Sequence, residues 1–288
     1  MKMLITGSSG RVGRAIYVRL YAEHHVVGFD RTPSSAPNII SDLTDSQALQ
    51  KALHGMDAVV HTAALHAPNV GYASDAEFER VNVDATQNLL ELALRAGVKQ
   101  LIFTITTALY GAASTPDDQA GWVDEALAPQ PKTIYHRSKI AAENLLADFS
   151  KLHDFKVTVL RMSRCFPEPA PQMACFRLHR GIDARDVADA HAHALASKST
   201  GFSRYVISGV TPFQPEDTHA LLHNPADVLQ RRAPELVSEF AKRHWPLPKS
   251  IDRVYASELG WRARYGFTEV LEMLDERSSE VLPVRLVA

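Results

Sequence analysis

Residues 6–14 read TGSSGRVGR, with Gly7, Gly10 and Gly13 three apart, directly after the apolar run MLI at 3–5. Glycines at this spacing let backbone approach something that side chains would hold off. Between a strand and a helix their tasks divide. One permits a tight turn, one brings a pyrophosphate near the backbone, and one lets the helix lie close to the sheet. The helix N-terminus then presents free N–H groups and a partial positive charge to an anion. Read alone, the loop also fits an ordinary glycine-rich strand–helix turn.

The next β-like run, HVVGFD, ends on Asp30, 17 residues beyond Gly13. An acid there accepts hydrogen bonds from both hydroxyls of an adenosine ribose and repels a 2′-phosphate, which favours NAD. Arg11 and Arg31 stand nearby. A guanidinium accommodates a phosphate, so NADP stays open.

Working outward, KMLIT, HVVGFD, AVVHTAA, QLIFTITT, KVTVLRMS and SRYVISG read as strands, rich in Val, Ile, Leu and Thr. Runs apolar on both faces suit a sheet covered on both sides. Helical patterns lie between them at 11–22, 45–54, 76–96, 135–153 and 184–197. The alternation predicts an α/β fold, a Rossmann-type doubly wound parallel sheet. After about residue 211 the texture changes, with prolines at 212, 215, 225, 234, 246 and 248 and helical patches near 226–243 and 267–276. The expected organisation is a dinucleotide-binding domain over 1–162, with 180–211 returning to it. A smaller C-terminal substrate lobe takes 163–179 and 212–288.

Composition excludes other classes. The 288 residues are 45 % apolar and carry 31 Lys plus Arg against 33 Asp plus Glu, a net charge of -2. A nucleic-acid binder would show a basic excess, so none is expected. No apolar run is long enough to span a bilayer, and MKMLITGSSG does not read as a signal peptide. Cys165 and Cys175 suit a reducing compartment, so the expected location is cytoplasmic. No metal site is expected.

The stretch TIYHRSK places Tyr135 and Lys139 four apart, on one face of a helix. A phenol ionises near pH 10, and a nearby ammonium lowers that value. The pair can thus take a proton from a hydroxyl or give one to a carbonyl. Upstream, Thr106 and Thr107 end the strand of LIFTITTALYG, where open α/β sheets place ligands. A hydroxyl there can hydrogen-bond the reacting oxygen.

Together these features resemble the extended short-chain dehydrogenase/reductase family of NAD-dependent epimerases and dehydratases, over nearly the whole chain. TGSSGRVG matches TGxxGxxG and YHRSK matches YxxxK; SDLTD, HTAAL, VNVDATQNLLELA, TTALYG, ARDVADAHAHAL and ASELGWRARYGFTEVL resemble further family segments in the family's order. The resemblance implies Tyr135 as acid/base, Lys139 as its partner and ribose holder, and Thr106 as the assisting hydroxyl. It implies Gly7, Ser9, Gly10, Arg11 and Val12 around the pyrophosphate, with Asp30 and Arg31 at the adenosine ribose. Asp42 and Leu43 fall to the adenine, and Thr62, Ala63, Ala64 and Asn82 line the rest of the cofactor. It further implies a hydride moved between substrate carbon and nicotinamide, and a homodimer through the helices of 76–96 and 135–153.

One segment departs from the pattern. Where many nucleotide-sugar members read LRxxNxxGP, this chain reads LRMSRCFPEP, with Arg164 in the asparagine place. That lowers the expectation of a nucleoside-diphosphate sugar. Arg164, with Arg177, His179 and Arg180, offers a site for a carboxylate or phosphate, or else forms surface charge. His66 faces substrate or caps its loop, Thr107 is a further substrate candidate, and the long 112–133 segment reads as a partly ordered wall or lid. The expectation is an NAD(P)-dependent oxidoreductase or epimerase acting on a sugar or sugar-acid derivative. Its alternatives are a nucleotide-sugar 4-epimerase or dehydratase with tightly held NAD, and a dinucleotide sensor without catalysis.

Overall fold

The computed structural model describes residues 1–34, 39–257 and 259–284. In chain order the elements are β1 (Lys2–Thr6), α1 (Arg11–Tyr21), β2 (His25–Asp30), β3 (Ile39–Ile40), α2 (Ser46–Leu53), β4 (Ala58–His61), α3 (Asp75–Glu79), α4 (Ala85–Arg95) and β5 (Gln100–Thr106). There follow β6 (Gly121–Val123), α5 (Ile134–His153), β7 (Lys156–Met162), α6 (Ala170–Arg177), α7 (Ala184–Ala196) and β8 (Phe202–Ile207). The last are α8 (Thr218–His223), α9 (Pro225–Arg232), α10 (Pro234–Lys242), β9 (Arg253–Tyr255) and α11 (Phe267–Asp275).

Contacts divide the chain into two units: residues 1–109, 131–161 and 187–205, and residues 110–130, 162–186 and 206–288. The first is organised by a seven-stranded parallel sheet in the order β3-β2-β1-β4-β5-β7-β8. Met3, Leu4 and Ile5 of β1 and Val59 and Val60 of β4 are fully buried, as a sheet covered on both faces requires. The order reverses between β1 and β4, whose C-terminal ends pair Thr6 with His61. Such a switch point opens a crevice where α/β sheets take ligands.

The pattern over 76–96 is not one plain helix. A π-helical turn, Arg80–Asp84, joins α3 to α4 and holds Asn82 buried. Such turns swell a helix locally and recur at functional positions.

The second unit builds its own core from α6 and α8–α11, with Met173, Phe213, Leu229, Leu236, Phe240 and Val270 at its centre. The patch near 226–243 is two helices, because Pro234 lacks an N–H and forces Ala233 out of helical geometry, at φ -146° and ψ 55°. Inside the 112–133 segment, β6 pairs in parallel with β9, and Trp122 packs against the core. The Tyr110 hydroxyl donates to the Asp124 carbonyl at 2.9 Å. This stretch is a packed wall of the second unit, which the Pro-rich sequence concealed.

Candidate active site

The glycine loop follows β1 as its sequence requires. Gly7 sits at φ +74°, and a Cβ on it would lie 2.6 Å from the Ala63 nitrogen and the Thr62 hydroxyl. A Cβ on Gly13 would lie 2.1 Å from the Gly7 carbonyl oxygen. These two positions exclude any side chain, so α1 rests on the loop and the loop rests on the 62–64 segment. Gly10 caps α1 from extended backbone, and its Cβ would meet nothing nearer than 3.4 Å, leaving that approach open. Arg11 and Val12 open the helix, whose first turn holds no acidic side chain to compete with an anion. The Ser8 hydroxyl is buried without a hydrogen-bond partner.

Asp30, at the end of β2, faces this loop. One carboxylate oxygen accepts from the Ser9 N–H at 3.0 Å and the other from the Thr32 N–H at 2.8 Å. Arg31 follows it on the surface. Asp42 accepts from the Thr44 N–H at 2.9 Å and hydroxyl at 2.7 Å. The Thr44 amide leads in holding its carboxyl below the usual range, against the opposing effect of burial. Leu43 beside it is buried.

Beneath the loop runs a buried polar chain that sequence reasoning missed. The Thr6 hydroxyl lies 2.6 Å from Nδ1 of His61, and Nε2 of His61 lies 3.0 Å from the Thr86 hydroxyl. Thr86 donates to the Asn82 carbonyl at 2.8 Å, so it accepts from His61, and His61 carries its proton on Nε2. Burial pushes the His61 imidazole down to about 3, so it is neutral. Asn82 continues the chain. Its side chain accepts from the Leu65 N–H at 2.8 Å and donates to the Leu65 carbonyl at 3.1 Å and the Ser138 hydroxyl at 3.0 Å. It therefore ties the 62–65 segment to α5. Thr62 donates to the Thr6 carbonyl at 2.8 Å, and Ala63 and Ala64 remain half-exposed beside the loop. His66 caps the short 3₁₀ turn 67–69, its N–H donating to Asn69 at 3.0 Å.

Tyr135 and Lys139 stand on the buried face of α5, whose N-terminus Thr133 caps. The Tyr135 ring is buried among Leu65, Phe78 and Ile134. Burial pushes its phenol up to about 12, while a hydrogen bond from Thr106 pulls the other way. Thr106 also accepts from the Ala108 N–H at 3.0 Å, which fixes its hydroxyl at the end of β5. Thr107 is buried in the following turn. Lys139 donates to the Thr104 carbonyl at 3.4 Å and lies 4.2 Å from the centre of the Phe103 ring. Burial lowers its ammonium to about 7, and Glu143 opposes that. The expectation that the lysine brings the phenol down is thus outweighed here by desolvation of both groups. Thr104 in turn meets His191 of α7 at 2.8 Å; the other ring nitrogen of His191 donates to the Val187 carbonyl at 2.7 Å.

In the second unit the basic cluster is matched internally. Arg164 is paired with Glu168, Arg177 with Asp183 at 3.0 Å, and Arg180 with Asp252 at 3.3 Å. His179 donates to the Arg253 carbonyl at 2.8 Å. Asp186, opening α7, accepts from the N–H groups of Arg264 and Tyr265 at 2.8 and 3.1 Å, so two of the sequence segments meet there. The sequence reading passed over HALLH, whose His219 and His223 rings lie 4.6 Å apart on α8. Among the described residues no three His, Cys, Asp or Glu side chains form a metal-holding group. Also among them, no helix is long and apolar enough to cross a membrane.

Comparison with known proteins adds to this geometry. Residues 3–173 match the model of the NAD dependent epimerase/dehydratase family. The NAD-dependent glucose-6-phosphate dehydrogenase of Haloferax volcanii is 28 % identical over 59 % of this chain and 71 % of its own length. The L-arabinose 1-dehydrogenase (NAD(P)(+)) of the same organism is 32 % identical over 56 % of this chain and 66 % of its own. A short-chain dehydrogenase/reductase superfamily protein of Agrobacterium tumefaciens, solved with bound NAD, superposes with a TM-score of 0.72. That match covers 96 % of this chain and all of the other, at 20 % identity, and shows the shared fold.

Proposed function

The chain belongs to the NAD dependent epimerase/dehydratase family, and from that premise we propose that it is an NAD-dependent dehydrogenase of a free sugar or sugar acid. One observation carries the reading: Tyr135 stands one helical turn from the buried Lys139 on the buried face of α5, with Thr106 acting on its phenol. That is the constellation needed to move a proton at a substrate hydroxyl. The L-arabinose dehydrogenase among the relatives supports a free sugar, and the glucose-6-phosphate dehydrogenase supports a substrate without a nucleotide. So does Arg164 in the place of the nucleotide-sugar asparagine.

The residues present fit the dinucleotide. The cradle at Gly7 and Gly13 admits no side chain, the α1 N-terminus carries no acid, and Ser8 has an unused buried hydroxyl. Gly7 to Val12 would hold the pyrophosphate, and Asp30 the adenosine ribose, its charge disfavouring a 2′-phosphate. Asp42 and Leu43 would border the adenine, and Thr62 to Ala64 the middle of the cofactor. When bound, NAD supplies the hydride acceptor. Thr106 orients the substrate oxygen, and Tyr135 takes its proton as the carbon gives up hydride. Tyr135 accepts that proton as the phenolate, which the Lys139 ammonium favours before the transfer, and is left as the neutral phenol. The product is the carbonyl compound or lactone, with NADH released. Residues 163–179 and 212–288 are assigned to the substrate. Leu92 and Leu94, half-exposed on α4, and Leu152, exposed at the end of α5, leave apolar surface for a homodimer. We place that dimer in the cytoplasm.

The test follows NADH absorbance with NAD and a panel of aldoses, uronates and UDP-sugars. Wild type should reduce NAD with a free sugar or uronate, and Tyr135→Phe should lose about 10²- to 10⁴-fold in kcat while still binding NADH. Interconversion of a UDP-sugar without net NADH would replace this reading with the epimerase. Tight NAD binding with no turnover on any substrate would replace it with a sensor.

A further inference from the structure

The buried stripe of α5 does not end at Lys139. Glu143 follows one turn on and is equally buried. Its carboxylate is clamped by two arginines. Arg161 of β7, itself 2 % exposed, donates from Nε at 3.0 Å and from Nη2 at 2.6 Å, a bidentate pair. Arg204 of β8 adds a third bond at 3.1 Å from the partly exposed side. Burying a carboxylate and a guanidinium together rarely stabilises a fold beyond what apolar residues would give. The pair therefore invites a role other than stability, and its neighbour along the helix is the lysine on which the proton chemistry depends.

Among the described residues no carboxylate lies within ion-pair distance of the Lys139 ammonium. Its ammonium faces the Thr104 carbonyl and the Phe103 ring from β5. The nearby imidazoles His61 of β4 and His191 of α7 are both held neutral by burial. Tyr135 lies a turn before it, with a phenol that burial keeps protonated. The anion on its own helix face is Glu143, at the i+4 position where side chains meet.

We propose that Glu143 is a positioning residue for Lys139: held rigid by Arg161 and Arg204, its carboxylate keeps the buried ammonium charged and in place beneath Tyr135. Arg161 serves by fixing the carboxylate and Arg204 by closing its outer side. The inference rests on the catalytic reading of Tyr135 and Lys139. In physical terms, the opposing pull of Glu143 is already present in the lowered lysine. Removing the anion leaves burial unopposed, toward the neutral amine.

The experiment titrates Lys139 directly, by the ¹⁵Nζ shift of lysine-labelled protein assigned with Lys139→Arg, and in parallel records the pH profile of turnover. In wild type the lysine should titrate near 7. In Glu143→Gln it should titrate about one to two pH units lower, and the alkaline limb of kcat should move down by the same amount. Glu143→Asp should restore part of the shift. Where Glu143→Gln does not fold, Glu143→Gln/Arg161→Met removes both buried charges and should show the same direction. A folded variant whose lysine titrates unchanged overturns the proposal. The nitrogen titration needs no substrate, so a protein that turns nothing over fails the proposed function while Glu143 is still judged by its own readout.

Discussion

Acidification should unfold this protein through three buried imidazoles rather than through its carboxylates. His61 and His191 are fully buried and His179 nearly so, and burial lowers them to about 3, 4 and 3 respectively. Each makes hydrogen bonds that suit the neutral ring. In the unfolded chain each titrates near its ordinary 6.5. The folded value is depressed, so the stabilisation is complete above 6.5 and is lost as pH falls toward the folded value. Between pH 7.5 and 5 the unfolded state gains close to one proton per histidine and the folded state almost none. Linkage makes that about 2 kcal/mol for each, hence about 6 kcal/mol together. Lys139 adds about 1 kcal/mol in the same direction, since most of its burial cost is already in place at pH 7.5. Ordinary carboxylates remain ionised throughout this window, so they do not obscure it.

A native domain is stable by about 5–15 kcal/mol, so the loss is a large part of the whole. Urea unfolding at pH 7.5 and 5.0 should show the midpoint falling steeply, with uptake of about three protons at the lower pH. His191→Gln keeps a donor and an acceptor and should remove about one proton from that uptake. An unfolding free energy that stays level between the two pH values would refute the reasoning. So would a decline that begins only below pH 4, because carboxylates alone would then suffice.

Two further outcomes bear on the loop and its support. Gly13→Ala places a methyl 2.1 Å from the Gly7 carbonyl oxygen, so α1 must move off the loop; NADH affinity, read by fluorescence titration, should fall at least about tenfold, and unchanged affinity would mean the loop does not hold the pyrophosphate. Asn82→Ala strands the buried N–H and carbonyl of Leu65 and should cost about 2–4 kcal/mol in urea unfolding; a loss under about 0.5 kcal/mol would show that the 62–65 segment is held by something else.

The sheet was legible because its signals are local. Apolar runs such as MLI and AVV, and the glycine spacing of 7–13, each fix one element and its neighbour. The short strand at Ile39–Ile40 carried no such signal, since two residues show no period. The 112–133 segment misled for a related reason: β6 is three residues long, and its partner β9 lies more than 130 positions further along the chain. Nothing near Trp122 announces that pairing. The break at Pro234 was readable in principle, since a proline within a helical pattern marks a boundary.

The site was legible only in part, because a motif names residues but not their surroundings. Tyr135 and Lys139 four apart promise a lowered phenol, and in water they would approach that. In the fold both are desolvated, and desolvation drives each toward its neutral form: the phenol up to about 12, the lysine down to about 7. What decides the chemistry is therefore the set of groups that supply charge or hydrogen bonds against burial. Thr106 acts on the phenol and Glu143 on the lysine, with Arg161 reaching Glu143 from a strand 18 positions later. The i+4 step from Lys139 to Glu143 was visible in the sequence all along. Its meaning was not, because a glutamate on a helix is ordinarily a solvated one, and only packing against β7 makes it a buried anion.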